Sequence, residues 1–194
     1  EERKDAPARP GKRAHGRQIT LEPLQSASTA EPLPRMQSDI SEFDRVAGGG
    51  LVPGSATLIG GDPGIGKSTL LLQVVCALSK KNVRCAYVSG EEAIDQVRLR
   101  ADRLELADSP IRLAAATNVR DIVSSMEDRE NPIDLIVIDS IQTMHLEDLS
   151  SAPGGVSQVR ESAAALTRFA KRTNTVLLLV GHVTKEGNIA GPRV

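Results

Sequence analysis

Aromatic side chains are almost missing from this chain of 194 residues: it has no tryptophan, one tyrosine (Tyr87) and two phenylalanines (Phe43 and Phe169). Its core must be aliphatic, which suits Val/Ile/Leu strands covered on both faces. Cysteine is scarce too. Cys76 and Cys85 are too few for a disulfide framework and have no histidine at ligand spacing, so they are expected as small buried hydrophobes in a reducing compartment. No apolar run approaches a membrane span and no signal-peptide pattern opens the sequence, so a cytoplasmic protein without a membrane partner is expected. Neither sign of charge dominates: 24 Lys and Arg stand against 25 Asp and Glu. Composition alone therefore points to neither a nucleic acid nor a membrane surface.

What the chain does have is Gly60-Gly61-Asp62-Pro63-Gly64-Ile65-Gly66-Lys67-Ser68-Thr69. From Gly61 to Ser68 it matches G-x-x-x-x-G-K-[ST], the P-loop pattern. A strand-like run (Ser55 to Ile59) precedes it, and a helical run (Lys67 to about Lys80) follows. Glycines let successive backbone N–H groups converge on phosphate oxygens, and a helix N-terminus adds partial positive charge. Gly61, Asp62, Pro63, Gly64, Ile65, Gly66, Lys67, Ser68 and Thr69 are thus expected to hold a nucleotide. Lys67 would reach the β- and γ-phosphates and the Ser68 hydroxyl would ligate Mg²⁺.

The first 34 residues or so read as a disordered linker, with Arg3, Lys4, Arg9, Lys12, Arg13 and Arg17 set among Pro, Ala and Gly. Such a stretch buries too little surface to offset its ordering entropy. A domain is expected over 35–194, with regular structure starting near Ile40. Ser41 to Val46 can form a short helix stopped by Gly48-Gly49-Gly50, and Pro53-Gly54 turns into the first strand. Further strands are expected at Val83–Ser89, Ile111–Ala114, Leu135–Ile138 and Val176–Val180. Helices are expected from about Ala93 to Leu104, from Asn118 (with Asp121 as a capping box) to about Arg129, and from Val156 to Arg172. The alternation of strands and helices means an α/β fold, a mainly parallel sheet flanked by helices with right-handed crossovers.

Leu135-Ile136-Val137-Ile138 ends in Asp139, the form of a Walker B strand. In a parallel sheet the strand C-termini share one edge, so Asp139 would lie beside the P-loop and hold Mg²⁺ through its water shell. The next residue is Ser140 and not the glutamate that many ATPases carry there. A base must then come from another strand end, and Gly90-Glu91-Glu92 follows the second strand at the same edge. Spacing does not choose between Glu91 and Glu92. His182 closes the fifth strand and could contact the γ-phosphate and report it to the loop beyond.

Ser41 to Val46 with the glycines and Pro53-Gly54 after it resembles the segment before the P-loop in RecA-type ATPases. Ile138-Asp139-Ser140 resembles their Walker B, and Tyr87 to Glu92 the strand that bears their catalytic glutamate. Closer still is the bacterial RadA family of DNA repair ATPases. Its motifs are matched by Val88 to Glu92, Ile138 to Gln142, Ala164 to Lys171 and Gly181 to Gly187, so the likeness covers roughly residues 35 to 194. The resemblance implies a RecA-like P-loop NTPase core that assembles in homo-oligomeric rings, hexameric in the full-length protein. It implies that the core hydrolyses ATP, binds single-stranded DNA and drives branch migration of recombination intermediates. Glu91 then aligns with the water-activating glutamate, and His182 with the polar sensor. The stretches 147–155 and 185–194 align with two DNA-facing loops, where Lys185 and Arg193 would meet phosphates. The fifth strand would insert between the P-loop and Walker B strands.

The RadA family also carries a four-cysteine zinc module, a Lys-Asn-Arg-Phe-Gly motif after the second DNA loop and a C-terminal protease-like domain, none of which this sequence contains. The expectation is a piece of a longer protein, with the outer edge of the P-loop strand open, turnover weak in these residues alone, and DNA binding weak and steeply salt-dependent. Two other readings are a phosphotransferase for a small acceptor and a non-enzymatic nucleotide-gated scaffold. The first needs arginines to clamp phosphates. Arg98, Arg100 and Arg103 are at hand, but at spacings that suit a solvated helix face.

Overall fold

The computed structural model describes residues 34–182, apart from 129 and 150, together with residues 20, 21 and 23. The linker expected over 1–34, the second DNA-facing loop, Lys185 and Arg193 therefore lie outside or almost outside the described residues.

Short apolar runs alternate with amphipathic ones, and each becomes a strand or a helix in turn. Helix α1 (Ser41–Val46) leads to β1 (Ala56–Gly61), α2 (Lys67–Ser79), β2 (Cys85–Ser89), α3 (Ile94–Arg103) and β3 (Arg112–Ala115). Then come α4 (Val119–Met126), β4 (Leu135–Asp139), a 3-10 turn (Ile141–Thr143), α5 (Val156–Thr173) and β5 (Val176–His182). The sheet has five strands in the order β1-β5-β4-β2-β3, and all its pairings are parallel. β5 does insert between the P-loop strand and β4, as the resemblance implied. The fold is the expected α/β one, a parallel sheet flanked by helices with β5 in the place the RecA-like resemblance implied.

The core is aliphatic on both faces of the sheet. Val137 and Leu178 pack toward α2 and α3 with Leu71, Leu72, Val75 and Val97. Their strand neighbours Ile136, Ile138, Leu177 and Leu179 pack the opposite way, with Leu166 and Ala170 of α5 and Ile122 of α4. β2, β4 and nearly all of β5 are buried at every position, which explains why their sequences are continuous apolar runs rather than alternating ones. β1 is different. Among the described residues it pairs only with β5, and Leu58 remains 44 % exposed.

Element ends depart from the sequence reading for identifiable reasons. β1 and β5 run two residues further than their apolar runs because the ladder continues through Gly60↔Gly181 and Gly61↔His182. β2 begins at Cys85 rather than Val83, since the Arg84 N–H is taken by the Asp134 carboxylate at 2.9 Å. β3 begins one residue late, where the Ile111 N–H turns back to the Ser109 carbonyl. Asn118 caps α4 through the Arg120 N–H at 2.9 Å, one residue earlier than a capping box would place the bond, and α4 ends at Met126 rather than near Arg129. Both cysteines are free and buried. Burial raises the pKa of the Cys76 thiol, and with the charge of Asp134 pushes that of Cys85 up to about 12. Neither is a reactive thiol.

Candidate functional site: a phosphate loop facing three strand ends

The P-loop leaves β1 and enters α2 through two residues that L side chains rarely imitate: Gly64 at φ 81 and Gly66 at φ 100. A Cβ at either would meet nothing within 4 Å, so the requirement is conformational and not one of space. Gly66 is the N-cap of α2 and no side chain caps that end. The first backbone N–H groups of the helix thus keep their hydrogen-bonding capacity for a ligand, the arrangement that favours phosphate. Lys67 is buried and folds back over the loop, donating to the carbonyls of Gly61 and Asp62, each at 2.8 Å. Asp62, Pro63, Gly64 and Ile65 are exposed, and Ser68 and Thr69 are half-buried in the first turn of α2.

Register delivers the rest. Gly61 pairs with His182 across β1 and β5, and Ser89 with Asp139 across β2 and β4, so the P-loop, β4 and β2 end on one edge. His182 stands between the two halves. Its Nδ1 lies 3.4 Å from Lys67 Nζ and its Nε2 lies 3.5 Å from Glu91 Oε1. With the ammonium as donor, Nδ1 is the acceptor and the ring proton sits on Nε2, facing the carboxylate. Gln142 donates to the His182 carbonyl at 3.2 Å, which ties the end of β5 to the turn after Asp139.

The structure separates the two glutamates. Glu91 accepts from the buried Ser140 hydroxyl and faces His182. Glu92 has both oxygens on the Arg100 guanidinium and its N–H on Ser89 Oγ at 2.9 Å. Arg100 is therefore no solvated-face residue: its side chain is only 14 % exposed. Arg98 and Arg103 are exposed, with Arg98 paired to Asp95. Gly90, just before the two glutamates, is tightly packed. A Cβ there would come within 2.0 Å of Thr143 Oγ1 and 2.8 Å of Met144 Cε, so only glycine lets β2 end under the turn that follows Asp139.

Asp139 is nearly buried, the peptide to Ser140 is cis, and its Oδ2 accepts a hydrogen bond from Tyr87. Burial, then the Asp139 charge, push the Tyr87 phenol above its ordinary range, so it remains the donor. Sequence reasoning passed over Tyr87 and Gln142 as site residues, set Arg100 on a solvated helix face and missed the positive role of Ser140. One signal was available for Tyr87: a lone tyrosine in an otherwise apolar buried strand must bring its hydroxyl to a partner.

No cluster of three or more His, Cys, Asp and Glu residues suited to a metal occurs among the described residues. Asp139 and Ser68 offer hard oxygen donors and little else, a donor set suited to Mg²⁺, which keeps several waters and takes the remainder of its shell from substrate phosphates. The uncapped, positive end of α2 suits the phosphates themselves. No described helix is long and apolar enough to cross a membrane.

Known proteins resemble this chain in sequence and in fold. Residues 27–188 match the family described as AAA domain. The DNA repair protein RadA of Brucella abortus is 56% identical over 182 residues, 92% of this chain and 38% of that protein. RadA of Pseudomonas aeruginosa is 52% identical over 179 residues, 92% of this chain and 39% of that protein. The chain thus spans somewhat over a third of the length of these relatives. Among solved structures, a DnaB-like replicative helicase superposes with a TM-score of 0.66 at 17% identity, covering 80% of this chain and 45% of the helicase. At that identity the likeness is one of fold. The chain belongs to the AAA domain family, and the curated relatives it resembles at more than half identity are RadA DNA repair proteins.

Proposed function

We propose that this chain is the ATP-hydrolysing core of a DNA repair motor. In this reading it binds Mg²⁺·ATP, transfers the γ-phosphoryl group to water, and couples that cycle to single-stranded DNA in the branch migration of recombination intermediates. The observation that carries the proposal is the convergence of Lys67, His182 and Glu91 in one chain of contacts at the P-loop edge of the sheet. Phosphoryl transfer asks for little covalent chemistry from the protein, so placing charge and water is most of the work.

The roles follow from the contacts. The backbone N–H groups from Gly64 to Thr69, past Pro63, which has none, wrap the phosphates. Lys67 exchanges its two carbonyl acceptors for β- and γ-phosphate oxygens. Ser68 and Asp139 would hold Mg²⁺, which would supply charge neutralisation on the phosphates. Glu91, held by Ser140 rather than neutralised by an arginine as Glu92 is, accepts the proton of the attacking water. His182 lies between base and lysine, so its position depends on whether a γ-phosphate is present, and Gln142 links that position to the segment beyond β5. DNA contacts by Lys185 and Arg193, a homo-oligomeric (hexameric) ring and a cytoplasmic location complete the proposal.

The pairing of Arg98 with Asp95 and of Arg100 with Glu92 leaves these arginines poorly suited to clamp phosphates, which weighs against the phosphotransferase reading. The deciding experiment is ATP turnover with and without single-stranded DNA, on this chain and on one extended at both ends. DNA-stimulated phosphate release in the longer protein is expected. Phosphate passing to a small acceptor, with no release to water, would overturn the proposal.

A further inference from the structure

Tyr87 and Asp139 are diagonal neighbours across β2 and β4. Tyr87 pairs with Val137, and Asp139 pairs with Ser89, two residues along. Side chains alternate along a strand, so both point to the face that carries α2 and the P-loop. The Tyr87 residue is 1 % exposed and its ring lies in the cluster of Leu71, Leu72, Val75, Val137 and Leu178. Phenylalanine would fill that space equally well. The hydroxyl adds only a polar atom that is costly to bury without a partner, and its partner is Asp139 Oδ2. Among the described residues no donor hydrogen-bonds the other oxygen, Oδ1, of this nearly buried carboxylate.

We propose that Tyr87 is a positioning residue for the metal: it holds Oδ2 of Asp139 so that Oδ1 is presented to the hydrated Mg²⁺ of the bound nucleotide. The inference rests on the Mg²⁺·ATP reading above and adds a residue to it. Groups that orient a metal's carboxylate ligand typically alter metal affinity by about 10- to 100-fold when removed. A phenol that merely satisfied a buried acceptor would change stability and leave metal dependence alone.

The test uses the whole chain and a fluorescent ADP analogue, titrated with Mg²⁺ or held in EDTA, in wild type, Tyr87→Phe, Asp139→Asn and the double variant. Tyr87→Phe is expected to leave affinity in EDTA unchanged and to raise the Mg²⁺ half-saturation about tenfold. In the Asp139→Asn background the same change is expected to add almost nothing. An unaltered half-saturation, or an equal increment in both backgrounds, would overturn the role of Tyr87. A wild type whose nucleotide binding ignores Mg²⁺ would instead overturn the metal reading, and this inference with it. A second measurement does not depend on Tyr87→Phe folding. Tyr87 is the only tyrosine, so 3-fluorotyrosine labelling gives a single ¹⁹F resonance. It should move between ADP in EDTA and Mg²⁺·ADP, and the movement should vanish in Asp139→Asn. A resonance indifferent to Mg²⁺ refutes the proposal.

Discussion

The phosphate loop consists of consecutive residues, Gly61 to Thr69, whereas the wall opposite it is drawn from the ends of β2, β4 and β5. The loop's shape is local: two glycines at positive φ and an uncapped helix start produce it wherever a strand precedes and a helix follows. The wall exists only because parallel pairing brings Ser89 level with Asp139, and Gly61 level with His182. A change in the loop should act on nucleotide binding. A change in the wall should act on chemistry or on the seating of a strand end, with the nucleotide still bound.

Glu91→Gln is the sharpest way to test that division. If Glu91 is the base, turnover should fall by about 10²- to 10⁴-fold with nucleotide affinity nearly intact, read by steady-state phosphate release beside equilibrium binding. Unchanged turnover would favour the nucleotide-gated scaffold. Glu92→Gln should leave chemistry largely alone and loosen the site through the largely covered Arg100. Lys67→Ala is the counterpart in the loop. Loss of charge-assisted contacts worth about 1.5–3 kcal/mol should weaken nucleotide binding about 10- to 150-fold, measurable by titration calorimetry.

Gly90→Ala would disturb the wall without touching a reacting group. Its Cβ collides with Thr143 and Met144, and overpacking of this kind costs about 1–3 kcal/mol. Denaturant unfolding should show that loss, together with reduced turnover and near-normal binding. The smallest effect is expected far from the site, at Asp134. Its hydrogen bond with Arg84 lowers the carboxylate's pKa in the folded state, so the stability it contributes is present above the unfolded pKa and fades as pH falls through the lower folded value. Both side chains are partly exposed, so Asp134→Asn should cost under about 1 kcal/mol at neutral pH. It should also flatten the acid limb of a stability-against-pH curve.

Much of the fold was legible because periodicity is local. β2, β4 and β5 are apolar throughout since both their faces are covered, and α5 shows its buried stripe at Val159, Leu166 and Ala170. What local pattern could not show was where pairing would carry on past an apolar run, as it does through Gly181 and His182. Nor could it show where a side chain would pull a strand's start inward, as Asp134 does at Arg84. Glu91 and Glu92 illustrate the same limit within the site. By spacing these adjacent acids are equivalent, and only the resemblance singled out Glu91; in the structure they differ because one meets Ser140 and the other Arg100.

The sequence by itself determined a P-loop between a strand and a helix, an Asp at the end of an apolar strand and a serine, not a glutamate, directly after it. Each of these is set by covalent neighbours and their backbone preferences. The tertiary structure decided which glutamate faces the loop, that His182 bridges it to Lys67, and that the chain's lone tyrosine grips Asp139. Those contacts join residues about 50 to 115 positions apart. Only strand register, fixed by burying both faces of the sheet, brings such residues within hydrogen-bonding distance.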